Sequence, residues 1–216
     1  KKFRKKIKYT NLYNMINKIK YGIIGVGAMG QEHIQNINLI DNAEVVAICD
    51  TNQDSTKRAR SLIKDDSKVY DNIEDLINNN IADAYIIATP NFTHIDILER
   101  ILITDKHLLV EKPLCTTTKD CKKFELLSKN YTKIIWSGME YRYMPPVSRF
   151  IEEVHNNVIG KIKMLTIREH RFPFLSKVDD WNRFAFNTGG TLVEKCCHFF
   201  DLMRLIIQSE PVKVYA

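Results

Sequence analysis

The chain has 216 residues, 44% hydrophobic and 27% charged, an ordinary balance for a globular protein with one domain and part of a second. No apolar run approaches the roughly 18 residues of a spanning helix, which excludes such a helix within it. The formal net charge of +6 comes from residues 1–20, which hold Lys1, Lys2, Arg4, Lys5, Lys6, Lys8, Lys18 and Lys20 and no acid; the remainder has 24 basic and 26 acidic residues.

Residues 1–18 therefore read as a basic tail, and any affinity for nucleic acid or an anionic membrane surface rests on that tail alone. The reading carries no nucleic-acid and no membrane partner. The tail has no apolar core of a signal peptide, and it is rich in Lys rather than in the Arg and Ser of a transit peptide. The chain begins without Met, and Met15 stands just before the first strand pattern. The expectation is that Met15 is the true start and that residues 1–14 are upstream sequence or a disordered extension. Five cysteines (Cys49, Cys115, Cys121, Cys196 and Cys197) form no C-x-x-C and no metal-ligand spacing, so no metal is expected. They read as small core residues of a reduced compartment, placing the protein in the cytoplasm.

Strand and helix patterns then alternate. Strands are predicted at 21–26, 44–49, 68–70, 83–88, 107–110 and 133–136, with helices at 31–40, 54–64, 73–78, 93–103 and 119–129. Alternation with short connections implies parallel strands, right-handed crossovers and a doubly wound α/β sheet. Pro145-Pro146 marks the expected boundary between a first domain, 19–144, and an incomplete second one, 145–216. There a helix over 147–158, a long strand over 161–171, a helix over 191–207 and the start of a strand over 211–216 are predicted. Two strands make no stable sheet alone, so the second domain reads as unfinished.

Ligands of such sheets bind at the carboxyl ends of the strands. There, Gly25-Val26-Gly27-Ala28-Met29-Gly30 has the form G-x-G-x-x-G between a strand and a helix. Asp50 ends the next strand, 25 residues past Gly25, near the spacing of a ribose-binding acid. Gly25 permits the tight turn, Gly27 lets backbone approach a pyrophosphate, and Gly30 lets helix and strand pack closely. The helix N-terminus then directs N–H groups at the phosphates. A Gly-rich turn without ligand is the plainer alternative.

Three further segments carry chemistry. In Glu111-Lys112-Pro113-Leu114, Pro113 biases Lys112 to an extended conformation at a strand end. Its ammonium can stabilise an alkoxide, although a surface Glu–Lys pair beside a strand-ending proline fits equally. Thr89-Pro90-Asn91-Phe92-Thr93-His94 offers polar groups to a cofactor, or simply a turn and a helix cap. After Gly189-Gly190, Glu194, His198 and Asp201 fall at i, i+4 and i+7 on one predicted helix face. A carboxylate one turn before a histidine raises its basicity, and the histidine can act as general base. Thr191-x-x-Glu194 is also a capping box, and His198 between Cys197 and Phe199 also reads as a core histidine.

These four ordered motifs together resemble the Gfo/Idh/MocA oxidoreductases, over residues 21 to about 205. The resemblance implies a Rossmann domain followed by a domain with an open, largely antiparallel sheet. It implies NAD as cofactor, with NADP possible, and hydride transfer between the nicotinamide and a hydroxyl or carbonyl of a sugar or cyclitol. Lys112 and His198 match the family's catalytic lysine and histidine, and Glu194 stands where many members have Asp. The cofactor contacts expected are Gly25, Gly27, Ala28, Met29, Gly30, Asp50, Thr51, Thr89, Pro90, Asn91, His94, Glu111, Lys112 and Glu140. Residues 138–143 match the segment that approaches nicotinamide and substrate, which adds Arg142. Trp181 and Arg183 resemble a family Trp–Arg pair, here split by Asn182, and join Lys112, Arg142 and His198 as substrate contacts. Family members run about a hundred residues further, so the chain reads as truncated, and as a homo-oligomer at full length.

Asp50 favours NAD, because a carboxylate repels a 2′-phosphate; Arg58 and Arg60 on the following helix soften that preference. Two rivals to a dehydrogenase share the scaffold: an NAD-dependent glycoside hydrolase, and an inactive nucleotide-binding remnant or regulator.

Overall fold

A computed structural model describes residues 18–170 and 172–215. The stretch 1–17, and with it the expectation about Met15, lies outside the described residues. Among the described residues six strands form one sheet in the order β3-β2-β1-β4-β5-β6. They are β1 (Ile19–Ile24), β2 (Ala43–Cys49), β3 (Lys68–Tyr70), β4 (Ala84–Ile87), β5 (His107–Val110) and β6 (Ile135–Ser137). The pairs β1–β2, β1–β4 and β2–β3 are parallel. Strand order reverses at β1, so the crevice beyond the ends of β1 and β4 is the switch point of a Rossmann sheet. All four residues of β4 are buried, as expected of a central parallel strand covered on both faces.

Helices interleave with the strands: α1 (Ala28–Ile37), α2 (Gln53–Arg60), α3 (Ile73–Asn79), α4 (His94–Ile101) and α5 (Thr118–Ser128). In α1, Ile34 and Ile37 fall one turn apart and join Ile23, Val26, Val45, Ile48 and Ile86 in one core cluster. Side chains set the helix starts. Asn52 accepts from Ser55 N–H at 2.9 Å, Asn72 from Asp75 N–H at 2.8 Å, and Thr117 from Asp120 N–H at 3.1 Å.

The chain forms two compact units. The first holds the described residues up to Thr89, with Glu99–Leu109 and Tyr131–Ile135. The second holds Pro90–Leu98, Val110–Asn130 and the described residues from Trp136 on. In the second unit lie α6 (Pro145–His155), α7 (Ala185–Thr188), α8 (Thr191–Glu194) and α9 (Cys197–Ile207). Pro145 and Pro146 occupy the first positions of α6, where a missing N–H costs nothing.

Three expectations are corrected. The strands predicted at 161–171 and 211–216 are absent among the described residues, since a strand needs a neighbour for its hydrogen bonds and none pairs with these segments. The helix predicted over 191–207 is two helices. The Thr191 carbonyl accepts both Lys195 N–H at 3.0 Å and Cys196 N–H at 3.1 Å, so the ladder skips a residue and breaks. Glu194 and His198 therefore do not share one helix face. The capping box also fails: Gly190, at φ +80°, is the N-cap of α8, and no side chain caps it.

Candidate functional site

In the first unit the glycine turn closes β1. Gly25 has φ +84°, and a Cβ there would lie 2.7 Å from the Ala88 carbonyl and the Thr89 nitrogen. A Cβ on Gly30 would lie 2.0 Å from the Gly25 oxygen, whereas one on Gly27 would meet nothing within 4 Å. Packing thus demands Gly25 and Gly30 but leaves open space before Gly27. Gly27 is the N-cap of α1 and no side chain caps that helix, whose first residues are Ala28, Met29 and Gly30. Open space before uncapped N–H groups suits a phosphate.

Asp50 is fixed at the end of β2. Its Oδ2 accepts Val26 N–H at 2.7 Å and its Oδ1 accepts Asn52 N–H at 2.8 Å, so the carboxylate braces the glycine turn. Each oxygen retains lone-pair capacity for a ribose hydroxyl. An open groove of about 980 Å³ is lined by Asp50, Thr51, Gln53, Lys57, Arg60 and Tyr70, among others. Arg60 donates to the carbonyls of Lys64 (2.8 Å) and Asp65 (2.9 Å), and Arg58 to Ser55 Oγ (3.2 Å). These bonds hold both guanidinium groups on the protein itself.

The second unit holds the candidate proton-handling groups. Pro90 opens a turn over Asn91–Thr93 and its carbonyl accepts Thr93 N–H at 2.9 Å. Asn91 is buried and its Nδ2 has no partner, an orphan donor that a ligand oxygen can satisfy. His94, fully buried, lies with Nδ1 3.0 Å from the Pro113 carbonyl, so it braces the loop carrying Lys112. The buried Glu111 accepts Lys112 N–H at 3.2 Å, and Lys112 Nζ donates to the Glu194 carbonyl at 3.3 Å. Lys112 thus meets the end of α8, immediately before the helix of His198.

His198 is 2% exposed. Its Nε2 lies 3.5 Å from Oε1 of the half-exposed Glu140, and its Nδ1 has no partner. The Tyr141 ring stacks on the imidazole, with centroids 4.1 Å apart and planes at 8°. Burial, and after it the charges of Lys112 and Lys195, push the imidazole down to about 4. Burial, and more weakly Glu111, raise the Glu140 carboxyl above its usual value. Near neutral pH the imidazole is therefore uncharged and has a lone pair that can accept a proton.

The spacing argument pairs Glu194 with His198; the structure sets the carboxylate of Glu140 against the imidazole, and the carbonyl of Glu194 against Lys112. Arg142 forms a bidentate pair with Asp201, its Nε 2.6 Å from Oδ2, which ties the Glu140–Tyr143 turn to α9. Trp181 and Arg183 lie on the turn Val178–Arg183; Arg183 is held within its own loop by Ser176 Oγ at 3.4 Å and Asp180 at 3.9 Å. Sequence reasoning passed over Lys195 and Glu169, and reached Tyr141 only as part of the segment 138–143. Lys195 is 5% exposed, its Nζ is 3.0 Å from Glu169 Oε1, and it donates to the Tyr141 hydroxyl. The signal was a lysine within the largely apolar stretch 192–200.

Among the described residues no group of His, Cys, Asp and Glu could hold a metal, and no helix is long and apolar enough to cross a membrane. Burial pushes the thiols of Cys49 and Cys115 up to about 12, which makes both inert core groups.

Two family models match the sequence. One, the oxidoreductase family with NAD-binding Rossmann fold (Gfo/Idh/MocA), covers residues 19–139; the other, the C-terminal alpha/beta domain of that family, covers residues 151–216. The chain is 28% identical over 201 residues to the inositol 2-dehydrogenase of Salmonella paratyphi B, covering 91% of this chain and 57% of that one. It is 28% identical to the glucose-6-phosphate 3-dehydrogenase of Bacillus subtilis, covering 88% and 54%. The crystal structure of myo-inositol dehydrogenase from Lactobacillus casei, in complex with NAD(H) and myo-inositol, superposes with a TM-score of 0.71 at 25% identity, over 88% and 55% of the two chains. The chain thus spans little more than half the length of these relatives.

Proposed function

The chain belongs to the Gfo/Idh/MocA oxidoreductase family, and from that premise we propose that it transfers a hydride between NAD and a hydroxyl carbon of a sugar or cyclitol. One observation carries this reading. Lys112 Nζ donates to the carbonyl of Glu194 at 3.3 Å, 82 residues away in sequence and four residues before His198.

The first unit's turn fits a dinucleotide, with open space at Gly27, uncapped N–H groups at 28–30 and a braced carboxylate at Asp50. That carboxylate favours NAD over NADP. The bound nicotinamide supplies hydride acceptance and return. His198 takes the hydroxyl proton at Nε2, and Glu140 Oε1 passes it to solvent. Lys112 donates a hydrogen bond to the same hydroxyl oxygen and stabilises its developing negative charge. Asn91 Nδ2, buried and without a partner, would donate to an oxygen of the cofactor. The free cysteines fit a reducing compartment such as the cytoplasm.

The test is nicotinamide absorbance during incubation with NAD and myo-inositol, neutral sugars or sugar phosphates. Lys112→Met and His198→Gln each lower turnover by about a hundredfold or more while NAD binding persists. Wild-type turnover untouched by either substitution overturns the assignment.

A further inference from the structure

We propose that Lys195 and Glu169 are positioning residues for His198: they anchor the Tyr141 hydroxyl, so that its ring stays stacked on the imidazole, and they keep a second ammonium charge beside that ring. The proposal rests on His198 as the proton acceptor.

Lys195 is buried, which is costly for an ammonium group unless it is paired. Among the described residues it has two polar partners. Glu169 Oε1 lies 3.0 Å from Nζ, and the Tyr141 hydroxyl accepts from the same Nζ. The Tyr141 hydroxyl in turn donates to Glu169 Oε1 at 3.0 Å. The three groups close a triangle in which ammonium, carboxylate and phenol each satisfy the other two. The ammonium also lies 4.4 Å from the centroid of the Tyr141 ring, a cation–π arrangement.

The triangle acts on His198 through Tyr141. A phenol free to rotate about its side-chain bonds does not fix a neighbouring ring. One held at its hydroxyl presents a constant face, and this face lies parallel to the imidazole at 4.1 Å. Lys195 is the C-cap of α8, at the break between α8 and α9.

The charges around His198 are Lys112, Lys195, Glu111, Asp201 and Glu140. Asp201 is neutralised by Arg142, and Glu169 by Lys195. Lys112 and Lys195 both oppose a proton on the imidazole, as burial does, while Glu111 and Asp201 favour one. Removal of Lys195 therefore makes protonation easier, and the Glu169 carboxylate left behind adds to the effect.

The experiment is histidine-ring NMR on the full 216-residue chain, titrated from neutral to acid pH, for wild type, K195M and Y141F. In K195M the His198 midpoint rises by about one pH unit, the size expected of one nearby charge. Its ring-current-shifted signals also move toward ordinary histidine positions. In Y141F the same signals move while the midpoint changes much less, because only the anchor is lost. A His198 midpoint and ring-current shift unchanged in K195M overturn the proposal, leaving Lys195 as the counter-ion of Glu169 alone. If K195M does not fold, E169Q and Y141F carry the test, and unchanged His198 signals in both overturn it. The titration needs no turnover. Its failure leaves the dehydrogenase reading standing, and failure of turnover leaves the titration interpretable.

Discussion

Gly27 separates what the fold needs from what a ligand needs. Its neighbours Gly25 and Gly30 face backbone atoms at 2.7 and 2.0 Å from a built Cβ, while Gly27 faces open space. Gly27→Ala should cost less than about 1 kcal/mol of stability, the scale of a changed N-cap, yet weaken NAD at least about tenfold by filling the approach to the phosphates. Gly30→Ala should lower stability by roughly 1–3 kcal/mol through overpacking. Denaturant melts beside calorimetric NAD titrations separate the two effects, and a Gly27→Ala chain with unchanged NAD affinity contradicts the phosphate assignment. His198 offers a second separation. In the unfolded chain its imidazole takes a proton below its usual value near 6.5, and in the folded chain only near 4. Between those values the unfolded state holds more protons, so stability falls as the pH drops from about 6.5 to 4. His198→Gln should remove that component, giving a flatter stability profile across the same window in urea melts at successive pH values.

Among the elements, the first unit was readable because local signals and tertiary demands agree there. Periodicity, caps and the glycine turn each point to the same alternating strands and helices, and β3 and β5 fall at their predicted bounds. Helix ends shifted where a cap outweighed the pattern: the pattern starts the second helix at Asp54, and Asn52 starts it at Gln53. Asn52→Ala should therefore cost about 1 kcal/mol and loosen the Asp50 corner, seen as a lower urea midpoint and faster amide exchange at residues 50–55. In the second unit local signals fail for two reasons. Strand patterns at 161–171 and 211–216 need partners that no local pattern specifies. The 191–207 pattern is helical throughout, and nothing in it marks the carbonyl of Thr191 as a double acceptor. The carboxylate beside the imidazole, Glu140, comes from a different segment, the turn Glu140–Tyr143. Lys112 and His198 were named from their motifs and Tyr141 only within the segment 138–143; Lys195 and Glu169 were not named, because the triangle joins three segments distant in sequence.

At the scale of the whole molecule, chemistry is divided between two compact units, each with its own polar centre. The groups proposed for phosphate and ribose, Gly27 and Asp50, belong to the first; those proposed to handle the proton, Lys112, His198 and Glu140, belong to the second. NAD binding is linked to the stability of whatever it contacts, so stabilisation grows with the logarithm of its concentration, about 1.4 kcal/mol per tenfold above the dissociation constant. In hydrogen exchange, the proposed phosphate and ribose contacts predict that NAD slows the amides of residues 25–30 and 50–52 most. Both tryptophans, Trp136 and Trp181, lie in the second unit, so their fluorescence reports on that unit's unfolding while exchange reports on the first. If NAD left the glycine turn unprotected while slowing exchange only in the second unit, the dinucleotide would not be bound through its phosphates. The open space before Gly27 would then need another occupant.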